Sequence, residues 1–219
     1  MQKSILISIK TEHAVNILNG SKTLELRKSV PKDFVGWVYM CVTKKLPLLA
    51  YEVVDYDDSW GYPTTDGGYS IQNHIDDFDQ IQGDVLNGKV VARWWFDEYD
   101  TYYLERPLNL EITYRGDGSK NGCEYTKETK TLLLKKSCLT FQEIWDYGKK
   151  RFDNQQSMVY AWHIKKLEIL EPMELEEFDR LTTNREHAMN WNNDWTSPTY
   201  SPLTKAPQSW RYVWVKEKV

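Results

Sequence analysis

Hydrophobic and polar positions alternate along much of the chain. Ile5, Ile7 and Ile9 interleave with Leu6 and Ser8, the pattern of a well-buried strand. Ala14, Val15, Ile17 and Leu18 then form a stripe at helical spacing. Thr11 is placed to cap that helix through its hydroxyl, and Gly20 to end it in a left-handed conformation. Further strands are predicted over Val35–Thr43, with Trp37, Tyr39 and Cys41 on one face, and over Gly88–Asp97. A helix is predicted over Leu139–Tyr147, where Thr140 and Glu143 have capping-box spacing. A strand follows at Tyr160–Ile164, continues through Lys165–Leu170 and ends at Pro172. Glu174–Phe178 suits a short turn, and the last strand is Trp210–Val215. Many strands with few short helices give an α+β fold built on a mixed β-barrel.

The strand after Gly20 carries the chemistry. Over Gly20–Lys28, Thr23, Glu25 and Arg27 share one face and Leu24 and Leu26 the other. Glu25 and Arg27 then point into one space, with Lys22 at its lip. A core strand has no use for such a set, whereas a polar pocket for a base or nucleoside does.

Two stretches break the pattern. Residues 46–86 are acidic, with turn signals at Gly61, Pro63, Gly67 and Gly68, and read as an irregular insertion or loop. Its carboxylates lack EF-hand spacing. Residues 99–137 read as a second, hairpin-like insertion with a turn at Gly116–Gly118. The run 190–202, with Trp191 and Trp195, reads as a loop able to lie over a cleft.

Composition narrows the classes. The 219 residues fit one domain spanning 1–219 with these two insertions. No apolar run is long enough to cross a bilayer, and the first residues lack the apolar core of a signal peptide, so a cytoplasmic place is expected. Cys41, Cys123 and Cys138 are far apart and odd in number, which argues against a disulfide framework or zinc knuckle. His13, His74, His163 and His187 show no metal-ligand spacing. No metal or cofactor is indicated. The net charge of −4 disfavours tight nonspecific binding to duplex nucleic acid. The charge is uneven, however. Residues 1–50 hold eight basic and three acidic side chains, and 51–117 hold four and fifteen.

Four landmarks in order carry a family resemblance. They are Gly20, Lys22, Glu25 and Arg27 in G-x-K-x-x-E-x-R spacing, Ser8-Ile9-Lys10, Tyr160-Ala161-Trp162-His163-Ile164, and Ala206-Pro207-Gln208-Ser209-Trp210. Together they resemble the ASCH domain family, above all its phage and prophage members. The resemblance implies a PUA-like fold, and it places the strand of Trp162 and His163 beside the cleft.

Two functions follow from the resemblance and the residues together. The first is binding of RNA, another single-stranded nucleic acid or a modified nucleoside. Lys22, Glu25, Arg27, His163 and Gln208 would supply polar contacts, and Trp162, Trp195 and Trp210 would be aromatic walls. The second, which some compact family members imply, is an amidohydrolase acting on N4-acylated cytidine. Lys22, Glu25 and Glu143 would then be its catalytic candidates. Here Glu25 stands where those members have threonine. A lysine works as base or nucleophile when its pKa is lowered, and a neighbouring carboxylate acts the other way, so binding ranks first. A third reading is a non-catalytic protein-interaction scaffold with a structural ion-pair network. Any protein partner is left open.

Overall fold

The computed structural model describes residues 2–45, 47–52, 68–72, 85–105, 112–115, 127–151, 156–182 and 199–215. Within them the fold is α+β, with three short helices and mixed sheets. No closed barrel is traced by the described strands, which form three sheets. By contact the chain divides into two compact units. One is Met1–Thr11, Gly36–Arg93 and Glu168–Val219, and the other is Glu12–Val35 and Trp94–Leu167.

The first unit centres on β1 (Gln2–Ile9), which runs parallel to β3 (Gly36–Val42) and antiparallel to β14 (Trp210–Val215). The full sheet adds β6 (Val90–Phe96) and β11 (Lys165–Met173) on one side. On the other side lie β12 (Phe178–Thr182) and β13 (Thr199–Pro202). One face carries Leu6, Tyr39, Cys41, Phe178 and Val213, all buried together. This is the Tyr39 and Cys41 face that alternation assigned. Ser8 ties the opening strand to the Pro-Gln-Ser segment: its Oγ donates to Pro207 O at 2.6 Å and its N to Ser209 O at 2.9 Å.

Part of the acidic stretch is regular, contrary to the expectation of an irregular loop. β4 (Leu48–Glu52) and β5 (Gly68–Gln72) form a two-stranded antiparallel sheet, in which Tyr51 and Tyr69 rings meet edge to face. Leu48, Leu49, Tyr51, Tyr69 and Ile71 are residues that suit strands, whatever the acidity of the sequence around them. The rest of 46–86, apart from Pro47 and the segment from Val85, lies outside the described residues.

The second unit contains α1 (Thr11–Leu18), β2 (Leu24–Arg27), β7 (Tyr99–Glu105), β8 (Ile112–Arg115), α2 (Lys127–Ser137), α3 (Phe141–Tyr147), β9 (Lys149–Arg151) and β10 (Gln156–His163). Strand order is β2-β10-β7-β8, with β9 also pairing β10. Leu24, Leu26, Tyr102, Leu133, Ile144, Trp145 and Val159 pack into one core. Burying an aliphatic such as Ile144 contributes roughly 1.5–3 kcal/mol. The hairpin within 99–137 is not the one expected around Gly116–Gly118, which lie outside the described residues: β7 pairs with β8 ahead of that turn, and Lys130–Lys136 lie in helix α2. β7 also pairs along almost all of β10, so it belongs to the sheet itself.

Two local expectations need correction. Thr11 is the first residue of α1, and its hydroxyl donates to Pro47 O at 2.7 Å and accepts from Asn87 Nδ2 at 3.2 Å. The strand of Trp162 does not run on to Leu170. β10 ends at His163, Lys166 takes a left-handed φ of 47°, and β11 joins a different sheet. Gly20 has the expected left-handed φ of 74°.

Candidate functional site

The polar set lies in the second unit, on the short strand β2. Leu24 and Leu26 turn into the core described above, so alternation sends Glu25 and Arg27 to the opposite face. All four residues of β2 are buried. Arg27 Nη2 lies 3.0 Å from Glu25 Oε1, and Lys22 Nζ lies 3.4 Å from Glu25 Oε2. Lys22 is not at a lip. It is 2% exposed and among the largest fully buried side chains. Lysine is seldom buried unless paired, and its pairing explains the position.

That pairing begins at the C-terminus of α2. Cys138 adopts a left-handed φ of 53°, its N donates to Lys135 O, and Leu139 N donates to Leu134 O. This is a Schellman ending built on a residue other than glycine. It leaves the last two helix carbonyls to be satisfied from elsewhere. Thr23 N donates to Lys136 O at 2.9 Å, and Lys22 Nζ donates to Ser137 O at 2.7 Å. The Gly20–Thr23 loop thus caps α2, with an ammonium at the negative end of the helix. Glu25 takes the other side of that ammonium and Arg27 the other side of Glu25.

Aromatic residues flank the same face. In the antiparallel β2–β10 ladder, Trp162 stands opposite Glu25 and Tyr160 opposite Arg27. Tyr99 stands opposite Trp162 from β7. Trp162 is wholly buried against Phe96, with ring centroids 4.9 Å apart, and Phe96 contacts both Phe34 and Tyr99. Trp162 therefore backs the polar face. The partly exposed ring beside it is Tyr160, edge-on to Tyr99.

Tyr147, at the end of α3, was not singled out by its sequence. Its phenol is hydrogen-bonded to Arg27. Burial pushes its pKa up, while the Arg27 guanidinium acts in the opposite sense. Its position at the end of an amphipathic helix was the available signal. Gly148 follows at the close approach of α3 to β10, where a Cβ would run into Ser157 Oγ.

His163 is on the wrong side of its strand to join this set. It pairs with Leu24 and so faces away from Trp162 and Glu25. Its Nε2 is hydrogen-bonded to Asp100 Oδ2 at 2.8 Å, and its Nδ1 lies 3.8 Å from Glu98. Lys165 holds Glu98 and Asp97 at 2.7 and 2.9 Å. Asp100 and Glu98 were likewise not foreseen.

Glu143 occupies the capping box its spacing announced. Its Oε2 accepts from Thr140 N and Thr140 Oγ1, both at 2.7 Å, while Thr140 Oγ1 accepts from Glu143 N. Those bonds hold its carboxyl below the ordinary 4.5. Gln208 is exposed and Trp210 half-buried, both in the first unit. Trp195 lies outside the described residues. The structure thus brings together Lys22, Glu25, Arg27 and Trp162, and adds Tyr147 and Tyr160.

Chemically, the set offers a buried carboxylate between two cations. Glu25 Oε1 is engaged by Arg27, while Oε2 has no hydrogen-bond partner among the described residues. Such an oxygen is able to accept from an N–H donor. Among the described residues no group of three or more His, Cys, Asp or Glu is arranged to hold a metal, and no helix is long and apolar enough to cross a membrane.

No family model and no curated protein matches the sequence. Solved structures similar to this chain include ASCH from Zymomonas mobilis, at 12% identity and a TM-score of 0.45, covering 98% of this chain and 88% of that one. A tyrosine-to-phenylalanine mutant of the same protein is similar at 13% identity and a TM-score of 0.40, covering 80% and 77%.

Proposed function

We propose that this chain is a PUA-like ASCH domain that binds RNA, another single-stranded nucleic acid or a modified nucleoside on the Lys22–Glu25–Arg27 face. The observation that carries this reading is the buried Glu25 Oε2 without a hydrogen-bond partner among the described residues. The Lys22 ammonium stands 3.4 Å from that oxygen, so it is charge-paired, yet it retains capacity to accept from a further donor. A base edge presenting an N–H would supply that donor. Arg27 supplies fixed donors for the acceptors of the same edge, and Tyr160 is the ring nearest to hand for stacking.

One observation favours the structural reading in part. The Lys22 bond to Ser137 O fastens the loop to α2, a role that needs no ligand. Lys22 is therefore assigned to building the face, and Glu25 and Arg27 to reading the ligand. The amidohydrolase reading requires a lysine released from this clasp and a carboxylate released from the α3 cap.

The test measures binding of labelled single-stranded RNA and DNA at physiological salt, alongside acetate release from N4-acetylcytidine. Wild type is compared with Glu25→Gln and Arg27→Lys, and thermal melting is followed for each. Binding that falls at least tenfold in either variant while the fold is retained supports the proposal. Acetate release dependent on Glu25 replaces it with hydrolysis. Binding unchanged in both folded variants, or absent from the wild type, leaves the ion-pair network as scaffold only.

A further inference from the structure

The end of α3 sets a phenol against the guanidinium of the polar face. The Tyr147 ring packs on the core that holds Leu26, Ile144 and Trp145. The Lys28 ammonium lies over that ring, 5.2 Å from its centroid. The hydroxyl reaches the end of β2, where it is hydrogen-bonded to the Arg27 side chain and to the Lys28 backbone. Packing along the ring and two bonds at its tip fix where the oxygen sits.

The direction of both bonds follows from their chemistry. Arginine carries donors and no acceptor, so its bond is donated to the phenol oxygen. The Lys28 bond lowers the phenol pKa, as a backbone N–H does by favouring the phenolate, whereas a carbonyl acceptor would act in the opposite sense. Burial is the largest influence and keeps the pKa raised, so the phenol holds its proton at neutral pH. The oxygen of Tyr147 is thus engaged by two donors, and its own proton is turned away from both. Among the described residues no acceptor is hydrogen-bonded to that proton. Arg27 touches Glu25 as well as Tyr147, so the three form a row: an acceptor followed by two donors.

We propose that Tyr147 is a ligand-contacting donor of this site, giving its O–H proton to an acceptor on the base, a carbonyl oxygen or an unprotonated ring nitrogen, beside the N–H that meets Glu25. The inference rests on the Glu25 and Arg27 reading and adds a requirement on the ligand. Its edge must carry an N–H donor with acceptors next to it. An edge without those acceptors leaves the phenol proton unmatched and is rejected.

The test uses the full chain and labelled single-stranded RNA homopolymers, one for each base, with binding and melting measured together. Tyr147→Phe keeps the ring and removes the hydroxyl. It is expected to weaken the tightest-bound homopolymer about tenfold, in keeping with one lost hydrogen bond, and to narrow the spread among the bases. Arg27 and the Lys28 N–H also lose an acceptor in that variant, so a second one separates donor from scaffold. A fluorinated tyrosine, incorporated at position 147 alone, ionises at lower pH than tyrosine. Its phenolate still accepts from Arg27 and the Lys28 N–H but has no proton to give. Binding by this protein is expected to fall as residue 147 ionises, with melting held, while wild type is unchanged over the same pH range. The charged groups facing the phenol are Arg27, Glu25 and Lys28, and both proteins share them. Binding by folded Tyr147→Phe equal to that of wild type, or binding by the fluorinated protein that ignores the ionisation, overturns the inference. Glu25→Gln run in parallel tells the two readings apart. A loss there with Tyr147→Phe unchanged removes the phenol alone, and no binding of any homopolymer by wild type removes both.

Discussion

Trp162 and Glu25 face each other directly across the β2–β10 ladder. A wholly buried indole therefore walls the carboxylate that links two cations. In that setting the carboxylate is poorly solvated, and its strength as an acceptor rests on the groups around it.

The clasp to α2 predicts a large stability effect for Lys22→Met. The methionine fills a similar volume but leaves Ser137 O without its ammonium and removes one neighbour of Glu25. Breaking a buried pair from one side costs about 3–5 kcal/mol. Urea unfolding should show a correspondingly lower midpoint with an unchanged slope. A loss under 1 kcal/mol would show that the clasp is not a structural element.

The α3 cap predicts acid sensitivity of a known sign. The Glu143 carboxyl has a lowered pKa in the folded chain, chiefly through the Thr140 backbone and hydroxyl bonds. The stability it contributes is present above the ordinary 4.5 and is lost as pH falls through the lower folded value. Glu143→Gln should destabilise the protein at pH 7 and narrow its distance from wild type below pH 4. Thr140→Ala should cost about 1 kcal/mol. Melting curves from pH 3 to pH 7 check both.

Thiol labelling separates the two cysteines among the described residues. Burial pushes the Cys41 thiol up to about 12, so it holds almost no thiolate at neutral pH. Cys138 is partly exposed at the end of α2. Brief iodoacetamide treatment at pH 7.5, read by peptide mass spectrometry, should modify Cys138 well before Cys41. Equal labelling would mean that the core around Cys41 opens readily.

Close packing predicts that Gly148→Ala is destabilising although its φ of −59° suits alanine. The added methyl meets Ser157 Oγ, whose bond to Trp145 O at 2.9 Å would have to break. Overpacking of this kind costs about 1–3 kcal/mol, measurable as a lower melting temperature.

Local signals in the chain carried much of the fold. Gly20, the Thr140–Glu143 box and the two faces of β2 and β3 all follow from rules acting within a few residues. What escaped depends on partners far along the chain. Lys22 reads as exposed because lysine usually is, and only Ser137, in a distant helix, accounts for its burial. α2 has three adjacent leucines and no clear stripe, so its pattern does not distinguish helix from strand. The face of His163 depends on where β10 ends, which is set by the change of sheet after Ile164. Tyr147 enters the site because α3 closes against β10.

The Lys22–Ser137 bond spans 115 positions of sequence. Closing so long a loop before other contacts exist is entropically unfavourable, so a bond of this kind belongs to the late part of folding. Its loss falls on the escape from the native state, leaving the approach to it nearly as fast. The buried lysine is thus a kinetic lock, and stopped-flow measurements on Lys22→Met should find faster unfolding with refolding little changed.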